Sequence, residues 1–86
     1  MSKPTAAERA LELKAERDLL IKAEADIEQG WGRLRNQEEL LTHMQASGQN
    51  TREAERLVAL LKQTLIEWER HRVLIERRIA HLQTGW

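Results

Sequence analysis

Apolar residues recur at every seventh position along two stretches of this chain. The amino-terminal series is Leu13, Leu20, Ile27, Leu34 and Leu41. The carboxy-terminal series is Ala54, Leu61, Trp68, Ile75 and Leu82. A seven-residue apolar repeat places one row of side chains along a coiled-coil seam. Since turn-forming residues separate the two series at positions 47–51, the pattern predicts an all-α fold, an antiparallel two-helix coiled-coil hairpin.

Turn and cap signals place the expected bounds of helix 1 at about residues 5–46. Thr5 followed by Glu8 is the pattern of a capping box, in which each side chain accepts a hydrogen bond from the other residue's backbone N–H. Gly48 suits the left-handed conformation that ends many helices. The connecting turn is therefore expected at residues 47–50.

Asn50 and Glu53 repeat the capping-box spacing at the start of the second helix. Helix 2 is expected to run over about residues 51–83, and Gly85 is expected to mark its end. No segment alternates with the period of a strand. Residues 1–86 are therefore expected to form a single helical-hairpin domain.

Folding the chain at the turn predicts which side chains meet across the seam. The expected pairs are Leu20 with Ile79 and Leu82, Ile27 with Ile75, and Gly30 with Trp68. A glycine opposite a tryptophan fits a small residue against a large one, as in a well-packed core. A local break at residues 30–32 is the alternative, because each glycine inside a helix costs about 1 kcal/mol relative to alanine.

The second helix carries more apolar surface than one seam requires. A further row beside the seam consists of Ala59, Ile66, Val73 and Ala80. Domains this small usually need a disulfide, a metal or oligomerisation for stability, and the chain has no cysteine. It is therefore expected to form a homodimer in which two hairpins make a four-helix bundle. Helix 1 would overhang helix 2 over about residues 5–17, where the partner hairpin or Trp86 could cover it.

The expected interface combines the seam with part of that further row. Its members are Leu20, Ile27, Gly30, Leu34, Leu41, Leu61, Leu65, Ile66, Trp68, Val73, Ile75, Ile79 and Leu82. They are expected to pack against one another or against the second copy.

The sequence offers little to an enzyme. It has no cysteine, no Gly-rich phosphate loop and no serine in a strand-to-helix turn. Glu67 and His71 lie four residues apart, as metal ligands can, but two ligands do not make a site. A hairpin also has no enclosed pocket for a substrate. The expectation is a protein without catalytic activity, cofactor or metal site.

Charge and hydropathy restrict the possible partners. The 14 basic and 14 acidic residues give no net charge, which argues against binding to nucleic acid by phosphate neutralisation. The cluster at Arg70–Arg78 is the main basic feature, and glutamates interrupt it. No apolar run is long enough to span a membrane, and the first residues lack the apolar region of a signal peptide. A cytoplasmic location is the expectation.

Residues 23–72 also match a wider pattern. The matching positions are Ile27, Gly30, Arg33, Leu34, Gln37, Leu40, Leu41, Gly48, Thr51, Ala54, Leu57, Leu65 and Arg72. In these positions the chain resembles small uncharacterised helical-hairpin proteins of bacteria, chiefly alphaproteobacteria. Trp31, Gly32 and Trp68 depart from the pattern. No activity is associated with that group, so the resemblance implies only that the hairpin is a recurring unit.

Association between helices is thus the expected role of this chain. The first hypothesis is a non-enzymatic protein–protein interaction or scaffold module built from a dimeric hairpin. The second is a small regulator that binds a helix of a partner protein in place of its own twin. The third is a nucleic-acid-binding factor that uses the Arg70–Arg78 cluster.

Overall fold

The computed structural model describes residues 3–84, which form two long helices packed side by side. Helix α1 spans Ala6–Ala46 and helix α2 spans Arg52–Thr84. The molecule measures 65 × 19 × 15 Å, as expected for a pair of helices that rise about 1.5 Å per residue. The all-α antiparallel hairpin is confirmed, and the helices begin and end within one residue of the expected positions. The helix end predicted at Gly85 and the contact predicted for Trp86 lie outside the described residues.

A capping box begins α1. The Thr5 hydroxyl accepts a hydrogen bond from the Glu8 backbone N–H at 3.1 Å. The Glu8 carboxylate accepts one from the Thr5 backbone N–H at 3.3 Å. Two backbone N–H groups that the helix itself leaves without partners are thereby satisfied.

A left-handed glycine closes α1. Gly48 has φ 71°, and its N–H donates to the Gln45 carbonyl at 3.2 Å. The Gln49 N–H reaches back to the Met44 carbonyl at 3.0 Å. This pair of bonds is the Schellman motif, which satisfies the last carbonyls of a helix while the chain changes direction.

The start of α2 differs from the expected capping box. The Asn50 side-chain oxygen accepts from the Arg52 N–H at 3.1 Å, two residues ahead, instead of pairing with Glu53. The first backbone bond of the helix runs from the Glu55 N–H to the Thr51 carbonyl at 2.9 Å. Thr51 therefore occupies the cap position, and Asn50 braces the turn one residue earlier.

The core is a single strip between the helices. Ile27, Leu34, Val58 and Leu65 are buried together, and the half-buried Leu41, Leu61 and Trp68 pack against them. Ile75 is fully buried but lies outside this cluster. The expected contact between Ile27 and Ile75 is therefore wrong.

Towards the open end of the hairpin, α2 lies about one helical turn further along α1 than expected. Leu82 lies beside Ala10 and Leu13 instead of near Leu20, and the Arg78 side chain reaches Glu16. The expected overhang is correspondingly shorter. The physical reason is that every heptad of the seam presents a similar surface, so the apolar repeat alone does not determine which residues of α1 face which residues of α2. The geometry of the turn determines this.

We expect Gly48→Ala to destabilise the protein by about 1–2 kcal/mol, because an L residue in the left-handed region brings its Cβ against the following carbonyl. Urea unfolding followed by circular dichroism at a fixed chain concentration measures this. Gly48→Asn is the matched control and should lose less, since asparagine tolerates that conformation better. Equal stability of Gly48→Ala and wild type would contradict the role assigned to this turn.

Candidate protein-interaction surface

The structure divides the expected interface residues into three groups. Those buried in the seam are Ile27, Gly30, Leu34, Leu65 and Ile75. Those half-buried are Leu20, Leu41, Leu61, Trp68, Ile79 and Leu82. Ile66 and Val73 are exposed, at 46% and 40%. Most of the expected set thus lies between the two helices, whereas these last two side chains project away from them.

Val58 belongs to the seam but was missing from the expected set. It is only 7% exposed and packs in the same cluster as Leu65. The signal that could have found it is its spacing, because Val58 lies one heptad before Leu65 in the row that faces α1.

The two helices approach each other closely at Gly30. A Cβ atom at this position would lie 2.7 Å from Leu65 Cδ2 and 3.2 Å from Trp68 Cζ3. The first of these distances is shorter than real carbon contacts allow, so an alanine here would have to displace a buried side chain. Trp68 does face Gly30, as expected, but Leu65 is nearer.

Gly32 is in a different situation. A Cβ there would meet nothing within 4 Å, and α1 continues through residues 30–32 without a break. The second glycine therefore makes no room for α2, and nothing in the structure explains it.

Polar side chains enter the seam towards the open end. Arg78 Nε lies 3.0 Å from Glu16 Oε2, and the Glu16 side chain is only 18% exposed. The contact is an ion pair without hydrogen-bond geometry, since Glu16 Oε2 has no hydrogen-bond partner among residues 3–84. Arg72 Nε, in the same row as Leu65, is likewise buried without one. The seam is therefore mainly apolar near the turn, where Gln37 is half-buried, and more polar beyond Trp68.

Large apolar side chains outside the seam cover both broad sides of the hairpin. We call one side the Trp31 face, which carries Ile21, Trp31, Ile66 and Val73. We call the other the leucine face, which carries Leu19, Leu40, Leu57, Leu60 and Leu74. Each side chain is 40–67% exposed. The assignment follows from the heptad rows, because residues seven apart lie on one side of a helix.

Each face has a groove between the two helices. On the Trp31 face, the groove is lined by Trp31, Leu34, Leu65 and Ile66, with charged residues such as Lys62 at its edge. On the leucine face, a groove at the open end has an apolar lining of Ala15, Leu74 and Leu82. Its charged lining residues are Glu12, Glu16, Arg77, Arg78 and His81. Both grooves are open and shallow, which suits a helix of another chain better than a small molecule.

The basic cluster does not form one continuous surface. Arg72 is half-buried in the seam, and Arg78 pairs with Glu16. Arg70 and Arg77 remain exposed, beside Val73 and Leu74. The cluster is thus divided between the seam and the surface, which weakens the case for a phosphate-binding face.

The described part of the chain gives little support for a metal site or a membrane-spanning helix. Residues 3–84 contain no group of three or more His, Asp or Glu side chains placed to hold a metal ion. Glu67 and His71 are both exposed. Neither helix, within those residues, has an apolar stretch long enough to cross a membrane.

No family model, curated protein or solved structure matches this chain. The resemblance to bacterial helical hairpins therefore remains an expectation from the residues quoted above. The functional interpretation rests on the surfaces themselves.

The two glycines of α1 provide a matched pair of substitutions. Gly32→Ala should stabilise the protein by about 1 kcal/mol, because alanine is the better helix former and the site is open. Gly30→Ala gains the same propensity but must displace Leu65, which costs about 1–3 kcal/mol. The free energy of unfolding of Gly30→Ala should therefore be about 1–3 kcal/mol lower than that of Gly32→Ala, which is the cost of displacing Leu65. Urea unfolding at equal chain concentration measures both values. Equal gains from both substitutions would contradict the close approach at Gly30.

Proposed function

We propose that this protein is a non-enzymatic interaction or scaffold module that works as a homodimer of hairpins. The observation that supports the proposal is the unpartnered apolar surface outside the seam. On the Trp31 face and the leucine face together, nine large apolar side chains are 40–67% exposed. Trp31 and Ile66 line one groove together with Leu34 and Leu65, and a contiguous apolar patch of this kind marks a site of association.

Energetics favour the same proposal. Buried apolar side chains in residues 3–84 are few, namely Ile27, Leu34, Val58, Leu65 and Ile75. A chain of this size with no cysteine has no covalent staple, and the common remedy is oligomerisation. Each Å² of apolar surface removed from water contributes about 25 cal/mol. Stacking two hairpins face to face would therefore bury further apolar surface, in addition to the surface that the seam already buries.

Multi-angle light scattering of the full chain tests this proposal. At micromolar concentration we expect a mass twice the 10.1 kDa of the chain. Ile66→Glu should return the mass to that of a monomer, because it places a charge on the exposed apolar row. Ala25→Glu is the control, since this exposed residue lies on the other helix, on the side opposite the seam, and it should leave the dimer intact. A wild-type monomer at micromolar concentration would contradict the proposal.

A regulator that binds a helix of a partner protein is the second candidate. The observation in its favour is the groove at the open end of the leucine face, where Leu74 and Leu82 are flanked by Arg77 and Glu12. An amphipathic helix would place its apolar side chains in such a groove. The two candidates differ in the isolated protein: the scaffold dimer should be fully helical alone, whereas a partner-dependent regulator should be only partly helical.

A further inference from the structure

The buried apolar cluster between the helices ends before the open end of the hairpin. Its members are Ile27, Leu34, Val58 and Leu65. Ile75 is buried completely but does not belong to that cluster. The side chains that lie between the cluster and Ile75 therefore decide whether the seam holds together as one unit.

Arg72 lies at this place in the seam. It follows Leu65 by one heptad in the row that faces α1. Because Gly30 lies against Leu65 and Trp68, and the helices run in opposite directions, one heptad further brings Ala23 level with Arg72. A small side chain and a charged one thus meet where the rest of the row is apolar.

The Arg72 side chain is poorly accommodated there. The residue is half-buried, and its Nε atom is buried without a hydrogen-bond partner among residues 3–84. A buried donor that loses its water and gains no partner destabilises the folded state. The seam is therefore weakest at the level of Arg72.

Two segments of the hairpin lie on either side of this level. We call residues 27–46 and 52–68 the turn-end segment, and residues 6–23 and 72–84 the open-end segment. The turn-end segment contains the whole buried cluster. In the open-end segment only Ile75 is a buried large apolar residue, and its apolar neighbours in the seam are half-buried, namely Leu13, Leu20, Ile79 and Leu82.

The open-end segment also contains the polar groups that are least well satisfied. Within residues 3–84, the two buried side-chain polar atoms without a hydrogen-bond partner are Glu16 Oε2 and Arg72 Nε. Arg78 lies 3.0 Å from Glu16, but its side chain is 47% exposed, so water competes for this ion pair. Separation of the helices here returns both buried atoms to water.

We infer that the hairpin contains a conformational device, in which the open-end segment opens and closes as a unit while the turn-end segment stays closed, with Arg72 at the boundary. Local opening of this kind has a lower free energy than global unfolding. Once separated, the two stretches lose the packing that stabilises helices in proteins, so they unwind. The inference concerns a single hairpin and goes beyond the proposed dimer.

Ordinary fraying of helix ends is the alternative, and it has a different signature. Fraying is strongest at the last residues of a helix and decreases gradually inwards. Opening as a unit gives nearly uniform amide protection within each segment and a step between them. The step is expected between residues 23 and 27 on α1 and between residues 68 and 72 on α2.

Amide hydrogen exchange of the full chain, followed by mass spectrometry of its peptides, distinguishes the two. We expect the amides of the open-end segment to exchange at least about tenfold faster than those of the turn-end segment, since an unsatisfied buried polar group has an effect of this order. Equal protection of both segments would overturn the inference. Protection that falls gradually towards the helix ends, without a step, would also overturn it.

A matched pair of substitutions tests the part assigned to Arg72. Methionine is unbranched and flexible and needs no hydrogen-bond partner, and replacing buried charges by apolar side chains often stabilises a protein. Arg72→Met should therefore slow exchange in the open-end segment about tenfold and leave the turn-end segment unchanged. Arg70→Met is the control, because Arg70 is exposed two residues away, and it should change neither segment.

Both variants are compared with wild type at equal chain concentration. Slower exchange of both segments to the same degree in Arg72→Met would show that the hairpin opens as one unit and would overturn the inference. Unchanged exchange in Arg72→Met, or the same slowing in Arg70→Met, would overturn the position of the boundary at Arg72.

Discussion

Two helices can bury only one stripe each against one another, and this constraint governs the rest of the molecule. The stripe here is the strip of Ile27, Leu34, Val58 and Leu65 with its half-buried neighbours. Every apolar residue beyond it faces outwards unless another chain covers it. The exposed Trp31 and leucine faces are therefore consequences of the architecture, and they are also the features from which we infer association.

The two helices pack closely where α1 has Gly30. At Gly30 the missing side chain lets Leu65 and Trp68 approach the α1 backbone, so the glycine fits the level at which the turn brings the two helices together. The same level aligns Ile21 and Trp31 of α1 with Ile66 and Val73 of α2. The register of the seam thereby determines how the outer apolar rows are arranged, and hence how a second copy could stack on them.

The fold could be predicted from the sequence because its signals are local and repeated. The heptad rows and the Thr5 and Gly48 caps placed both helices within one residue of their bounds. The pairing across the seam could not be predicted in the same way, since one heptad of apolar residues resembles the next. The placement of Leu82 beside Leu13 depends on the geometry of the turn, and Val58 was missed although its heptad spacing was available. The candidate interaction surface was foreseen through the row Ala59, Ile66, Val73 and Ala80 on α2 and through Leu19 and Leu40 on α1, whereas the exposed Ile21 and Trp31 were recognised only in the folded hairpin.

The central claim is that folding of this hairpin is linked to its association with a second copy. The melting temperature of the full chain, followed by circular dichroism over about a hundredfold range of concentration, tests the claim most directly, because association linked to folding makes that temperature concentration-dependent. We predict that the melting temperature rises steadily with chain concentration. A constant melting temperature, with a fully helical chain at the lowest concentration, would show that the hairpin is stable alone and would contradict the claim.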